Sequence, residues 1–85
     1  MRVLIRCKQD NMLMLLDNVE EAYINREGSA LIVECGEYYR QADIDMNTQL
    51  DDINEEIISG FETGKMDFSN ILFEDNAIYH EEELG

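Results

Sequence analysis

Proline and tryptophan are both missing from this 85-residue chain. Without proline, turns fall to Gly, Asn and Asp. Without tryptophan, the core must come from Leu, Ile, Val, Met, Phe and Tyr. Cysteine occurs twice and histidine once. Cys7 and Cys35 have no CxxC partner and no paired His, too few ligands for a structural zinc site. They read as small buried hydrophobes in a reducing compartment. Strand geometry decides whether they lie close enough to bridge under oxidation. His80 reads as a solvated histidine in an acidic tail, with nothing to suggest a nucleophile beside it. Long apolar runs are missing too. The opening Met1-Arg2-Val3-Leu4-Ile5-Arg6 is too short for a signal-peptide core and far too short to span a bilayer. These absences point to a cytoplasmic protein with no membrane segment, no metal, no cofactor and no catalytic signature.

Positive charge is the scarcest feature. Six Lys and Arg face 20 Asp and Glu, a net charge of −14. Such a charge argues against direct contact with nucleic acid or an anionic membrane. The deficit is lopsided. From Asp43 to Gly85 there are 13 acids against one base, Lys65, a net of −12. From Met1 to Ala42 there are seven acids against five bases, a net of −2. A strongly anionic half suits a cationic partner, and proteins that grip nucleic acid are the commonest of these. The length fits one small domain over 1–85. Apolar residues make up 45% of it in short patterned blocks, which separates it from a disordered acidic tail.

The blocks predict an α+β fold: an antiparallel β-meander of about four strands, then one main and one short α-helix. Val3, Ile5 and Cys7 alternate with Arg2, Leu4, Arg6 and Lys8, a strand with one apolar and one basic face. Gln9-Asp10-Asn11 is a turn cluster. Met12 to Leu16 has the length of a strand, although Met and Leu also suit the start of a short helix. Glu20 to Asn25 and Ala30 to Cys35 form two arms around Gly28, which can take the positive φ of a tight connection. Tyr38-Tyr39-Arg40 reads as a short edge strand. Its two neighbouring tyrosines must point to opposite faces, and Tyr23 and Tyr79 add further candidates for interface or sheet packing.

The period then changes. Leu50, Ile53, Ile57 and Phe61 recur at spacings of three, four and four, a helical stripe. Asn47 or Thr48 can cap it, Asp51 and Asp52 suit its dipole, and Gly64-Lys65 can close it. Gly60 weakens the helix interior but allows close approach to a sheet. A second short helix is expected from Asp67 to Glu74, with Phe68, Leu72 and Ile71 inward and Asp67 or Ser69 as cap. Residues 76–85 either add a last edge strand or fray.

The acids of the main helix are the candidate site. At 100° per residue, Asp51, Glu55 and Glu62 fall within about 40° of one another. Asp52 and Glu56 form another like-charged pair one turn apart. Solvated helices commonly place Lys after Glu at this spacing; like charges there cost about 0.2–0.5 kcal/mol per pair. A rigid row of carboxylates resembles a row of phosphates. Asp67, Glu74, Asp75, Glu81, Glu82 and Glu83 extend the bias. The bland alternative is the solvated face of a very acidic protein. Two other motifs fail. Asp43-x-Asp45-x-Asn47 resembles the start of an EF-hand loop, but Thr48 replaces its glycine and Asn54 its bidentate Glu. Gly60 to Lys65 has the wrong spacing for a phosphate loop and ends a helix instead of opening one.

A small acidic domain of this pattern resembles the anti-CRISPR proteins of phages and mobile elements in Gram-positive bacteria. Glu56 to Lys65, with the aromatic and acidic residues that follow, is similar in character to the helical part of one such inhibitor. The resemblance implies a stoichiometric inhibitor without turnover, favoured as a monomer. Its partner would be a basic nucleic-acid-binding protein, a guide-RNA-loaded CRISPR nuclease, whose PAM-reading arginines would be capped by carboxylates. Asp51, Asp52, Glu55, Glu56, Glu62, Asp67, Glu74 and Asp75 are the expected contact residues. The competing expectation is a small phage or plasmid accessory protein that binds a host enzyme by apolar contacts, its acidity serving solubility.

Overall fold

The computed structural model describes all residues except 9, 10, 12 and 81–85, and only the backbone at 72, 76, 79 and 80. The expected turn at Gln9-Asp10, the start of the second strand at Met12, the glutamates at 81–83 and the side chain of His80 thus lie outside the described residues. Among the described residues, seven strands and one helix run in the order β1 (Arg2–Cys7), β2 (Leu13–Leu16), β3 (Glu21–Ile24), β4 (Ala30–Cys35), β5 (Tyr38–Asp43), α1 (Leu50–Thr63), β6 (Lys65–Phe73) and β7 (Asn76–His80). The α+β class expected from the sequence is present, with several mostly antiparallel strands and one main helix.

The strands divide between two sheets, ordered β2-β1-β6 and β3-β4-β5-β7. The β1–β2 hairpin is antiparallel, while β1 and β6 pair in parallel. The other sheet is antiparallel throughout. One core joins them. Val3, Ile5 and Cys7 of β1 meet Leu31, Val33 and Cys35 of β4, Ile53 and Ile57 of α1, and Met66, Phe68 and Phe73 of β6. The alternation read in β1 holds, with Val3, Ile5 and Cys7 buried. The two cysteines are buried thiols on strands of different sheets. Tyr38 begins a strand that lies inside its sheet, between β4 and β7, so it is not the expected edge. β7 takes the edge in its place.

The second short helix is a correction. Lys65–Phe73 is the nine-residue strand β6. Its first half alternates, Met66 and Phe68 buried while Lys65 and Asp67 are exposed, the period of a strand. An irregularity then intervenes: Leu4 pairs with Asp67 but Arg6 pairs with Leu72, so two steps on β1 match five on β6. The extra residues reset the parity. Phe68 and Phe73, an odd number apart, therefore both reach the core and meet edge to face at 6.2 Å. That insertion is also what gave Phe68, Ile71 and Leu72 a helical spacing in the sequence.

The inward stripe of α1 needs a correction as well. Ile53 and Ile57 are buried, but the third buried position is Gly60. Leu50 and Phe61 are 39% and 62% exposed. Gly60 lies so close to β6 that a Cβ there would collide with the side chain of Met66. The helix is seated by its glycine, and Phe61, the next residue, is turned away. Neither Asn47 nor Thr48 is the N-cap. That position is Gln49, with no side-chain capping bond. Asn47 is instead drawn into a turn, its N–H donating to Asp45 Oδ1 at 2.8 Å. Gly64 closes the helix as expected, at φ 82° with its N–H on the Gly60 carbonyl.

Candidate protein-binding surface

α1 carries no Lys or Arg at all. Asp51, Asp52, Glu55 and Glu62 are exposed on it, and its only deeply buried positions are Ile53, Ile57 and Gly60. Asp51, Glu62 and Glu55 share one arc of about 40° on this wheel. The adjacent arc is apolar. Leu50, Phe61 and Ile58 span about 80° there. Ile58 is 63% exposed, and Met46, just before the helix, is 94% exposed. A fully buried Ile or Phe side chain contributes about 1.5–3 kcal/mol, most of which this fold leaves unrealised at Ile58 and Phe61. The helix therefore presents an apolar ridge beside an acidic row.

The other expected contact residues do not join that row. Glu56 is half-buried, and its Oε1 accepts the N–H of Asp67 at 2.8 Å. This bond covers an outward amide of the edge strand β6, which would otherwise be open to pairing. Asp67 lies in β6, and its Oδ1 accepts the Ser69 N–H at 2.9 Å. The Ser69 hydrogen bonds, helped last by the charge of Lys65, hold its carboxyl below the ordinary value. Glu74 lies beyond the far end of β6 from Lys65 and binds Lys8 Nζ at 3.1 Å. Asp75 follows it. A hydrogen bond and the charge of Asp43 push its carboxyl up.

Lys8 organises that end of the molecule. It also ion-pairs with Asp45, whose side chain is nearly buried. The Lys8 hydrogen bond, then the Asn47 N–H, hold the Asp45 carboxyl below its ordinary value. Both oxygens of the would-be calcium ligand Asp45 are thereby engaged within the fold. Among the described residues no cluster of three or more His, Cys, Asp or Glu has the geometry to hold a metal ion, and no helix is long and apolar enough to cross a membrane.

The exposed ridge was not anticipated from the sequence. A signal existed, because Ile57-Ile58 and Gly60-Phe61 are adjacent pairs and a helix cannot turn both members of each inward. Comparison with protein-family models, curated proteins and solved structures finds no match. Fold and surface together define a small α+β domain with one acidic-apolar helical face.

Proposed function

We propose that this chain is a stoichiometric binding protein that seats α1 on the nucleic-acid-binding surface of a basic partner and so excludes the nucleic acid. The observation that carries this reading is the acidic row Asp51, Glu55 and Glu62 alongside exposed Leu50, Ile58 and Phe61, on a helix without a single base. Carboxylates one turn apart accept the Arg and Lys donors that otherwise hold phosphates. The apolar ridge adds the desolvated contact that a phosphate row lacks. The resemblance to anti-CRISPR inhibitors names the partner class, an RNA-guided type II nuclease blocked where its arginines read the PAM. Inhibition would then be one-to-one and without turnover.

Asp51→Lys, Glu55→Lys and Glu62→Lys, made together, test it against a guide-loaded type II nuclease. Each exposed charge contributes up to about 1 kcal/mol, so the triple reversal is expected to weaken binding by about tenfold to a hundredfold. Restored DNA cleavage with an unchanged circular dichroism spectrum supports the reading. Undiminished inhibition by a folded triple variant sinks it. The exposure of Ile58 and Phe61 favours a second reading, docking by apolar contact alone. The salt dependence of affinity for the partner separates the two. Mimicry predicts a steep fall with salt and apolar docking a flat response, with Ile58→Ala and Phe61→Ala then outweighing the charge reversals.

A further inference from the structure

We propose that two copies of this chain form a dimer through β2, the two strands pairing antiparallel about a two-fold axis through Leu15. β2 is an edge strand. It pairs with β1 on one side and, among the described residues, with nothing on the other. Every second N–H and C=O along that side is open to a further strand, and proteins normally blunt such an edge with a charge, a bulge or a cover. At the opposite edge of the same sheet, Glu56 covers β6. In the other sheet, β3 carries the exposed Glu21, and the acids Glu74 and Asp75 precede β7. β2 has none of these devices: Leu13-Met14-Leu15-Leu16 is uncharged, and its register with β1 runs without a bulge. Leu13 and Leu15 are 47% and 55% exposed.

The pairing rules point to a second copy as the occupant. A two-fold axis normal to the sheet keeps each face continuous, so positions that meet share one parity. With Leu15 on the axis, Met14 meets Leu16 and Leu13 meets Asp17 of the second copy. The β1–β2 register then sets whole rows across four strands. On the outer face, Leu4 and Leu15 continue into Leu15 and Leu4 of the second copy. On the core face, Ile5 and Met14 continue into Leu16 and Val3 of the second copy. Both rows are apolar throughout. The next outer row carries charge: Arg6 and Leu13 lead to Asp17 of the second copy. Arg6 makes no ion pair with any described residue of its own fold, and its buried Nε has no hydrogen-bond partner there. Asp17 of the second copy lies two strand spacings from it, about 10 Å between Cα atoms, and offers that guanidinium an acceptor. Within its own chain Asp17 holds only the exposed pair with Arg2, which is weak. Charge also permits the approach. Residues 1–16 hold three bases, Arg2, Arg6 and Lys8, against one acid, Asp10, a net of +2 in a chain of net −14. A second copy meets less repulsion here than along the acidic half.

Sedimentation velocity over a concentration series tests the dimer. The mass is expected to rise from one chain to two, and at lower concentration as salt screens the net charge. Leu15→Lys places two ammonium groups on the axis and should weaken the dimer at least about tenfold. Ile58→Ala with Phe61→Ala, on the exposed ridge of α1, should leave it unchanged. If Leu15→Lys melts early, Leu15→Cys gives the second reading. With oxidised glutathione it should form a covalent dimer across the axis, while Leu13→Cys, which meets Asp17, should not. Cys7 and Cys35 are buried and do not compete. A single-chain mass up to about 1 mM in about 0.5 M salt, a dimer that survives Leu15→Lys, a cross-link at 13 in preference to 15, or a dimer lost with Ile58 and Phe61 would each overturn the proposal. α1 packs on β6, at the far edge of the sheet from β2. Each copy thus keeps its acidic row free, and the outcome is independent of the function proposed above.

Discussion

Lys8 joins carboxylates 37 and 66 residues away in the chain. Asp45 leads into α1 and Glu74 follows β6, so this one ammonium ties the approach to the helix to the end of a strand. Removing it leaves the nearly buried Asp45 carboxylate bonded to the Asn47 N–H but without its ammonium partner. An uncompensated buried charge costs more than the loss of the pair itself. Lys8→Met is therefore expected to lower the thermal midpoint more than Asp45→Asn, which removes the charge and keeps an acceptor for Asn47. Melts followed by circular dichroism check this, and equal midpoints would refute it. The pair also sets a pH dependence. The folded Asp45 carboxyl is depressed below 3.8 by Lys8 first and by Asn47 second. Its contribution is whole above that pH and is lost as pH falls through the lower folded value. Lys8 is raised above 10.5, chiefly by its hydrogen bond to Asp45, so its contribution is whole below that and fades as pH rises through the raised value. Such a node was not legible in the sequence, because nothing local links residues so far apart. The acidic row was legible, because one-turn spacing on a helix depends on the sequence alone.

Gly60 governs how α1 meets β6. Gly60→Ala improves helix propensity by about 1 kcal/mol, yet its Cβ runs into the Met66 side chain, with Cε at 2.9 Å. Overpacking of a closed core costs about 1–3 kcal/mol, so the substitution is expected to be net destabilising. Met66→Ala relieves the clash but opens a cavity. In the double variant each change offsets part of the other, and a double-mutant cycle in urea should return a favourable coupling of about 1 kcal/mol. Strict additivity would mean that the helix shifts bodily to accept the methyl group. Elements were legible in the sequence to the extent that they obey one period. β1 alternates and was anticipated. So was α1, although its inward face was misjudged because a stripe of large residues outweighed a glycine that packs closer. β6 was hidden because its irregular register breaks the period of two and imitates 3.6. The division into two sheets depends on the parallel return of β6 to β1, a pairing that no local pattern encodes.

The chain carries a net charge of −14, and its fold has principal extents of 32 × 28 × 25 Å. At 10 mM ionic strength the screening length is about 30 Å, so every carboxylate feels every other; at 0.1 M it is about 10 Å. Compactness then works against self-repulsion. Raising salt from about 10 mM to 0.1 M at pH 7 is expected to stabilise the fold by about 1 kcal/mol, a rise of roughly 4–8 °C in Tm for a domain of this size. Mild acid should act in the same direction. Asp75 is pushed up from 3.8, first by its hydrogen bond to Asp43 and then by that residue's charge. The folded state therefore takes up this proton more readily than the unfolded chain. That contribution is whole below 3.8 and is lost as pH rises through the raised value, so stability grows as pH falls through that value to 3.8. It then drops below 3.8, where the Asp45 carboxylate is lost to its Lys8 partner. Salt also weakens the proposed partner contact while strengthening the free fold, so a binding loss at 0.1 M cannot be blamed on unfolding. A Tm that stays flat or falls with added salt would show that the acids are relieved locally, through bonds such as Glu56 to Asp67, and that net charge exerts no hold on this fold.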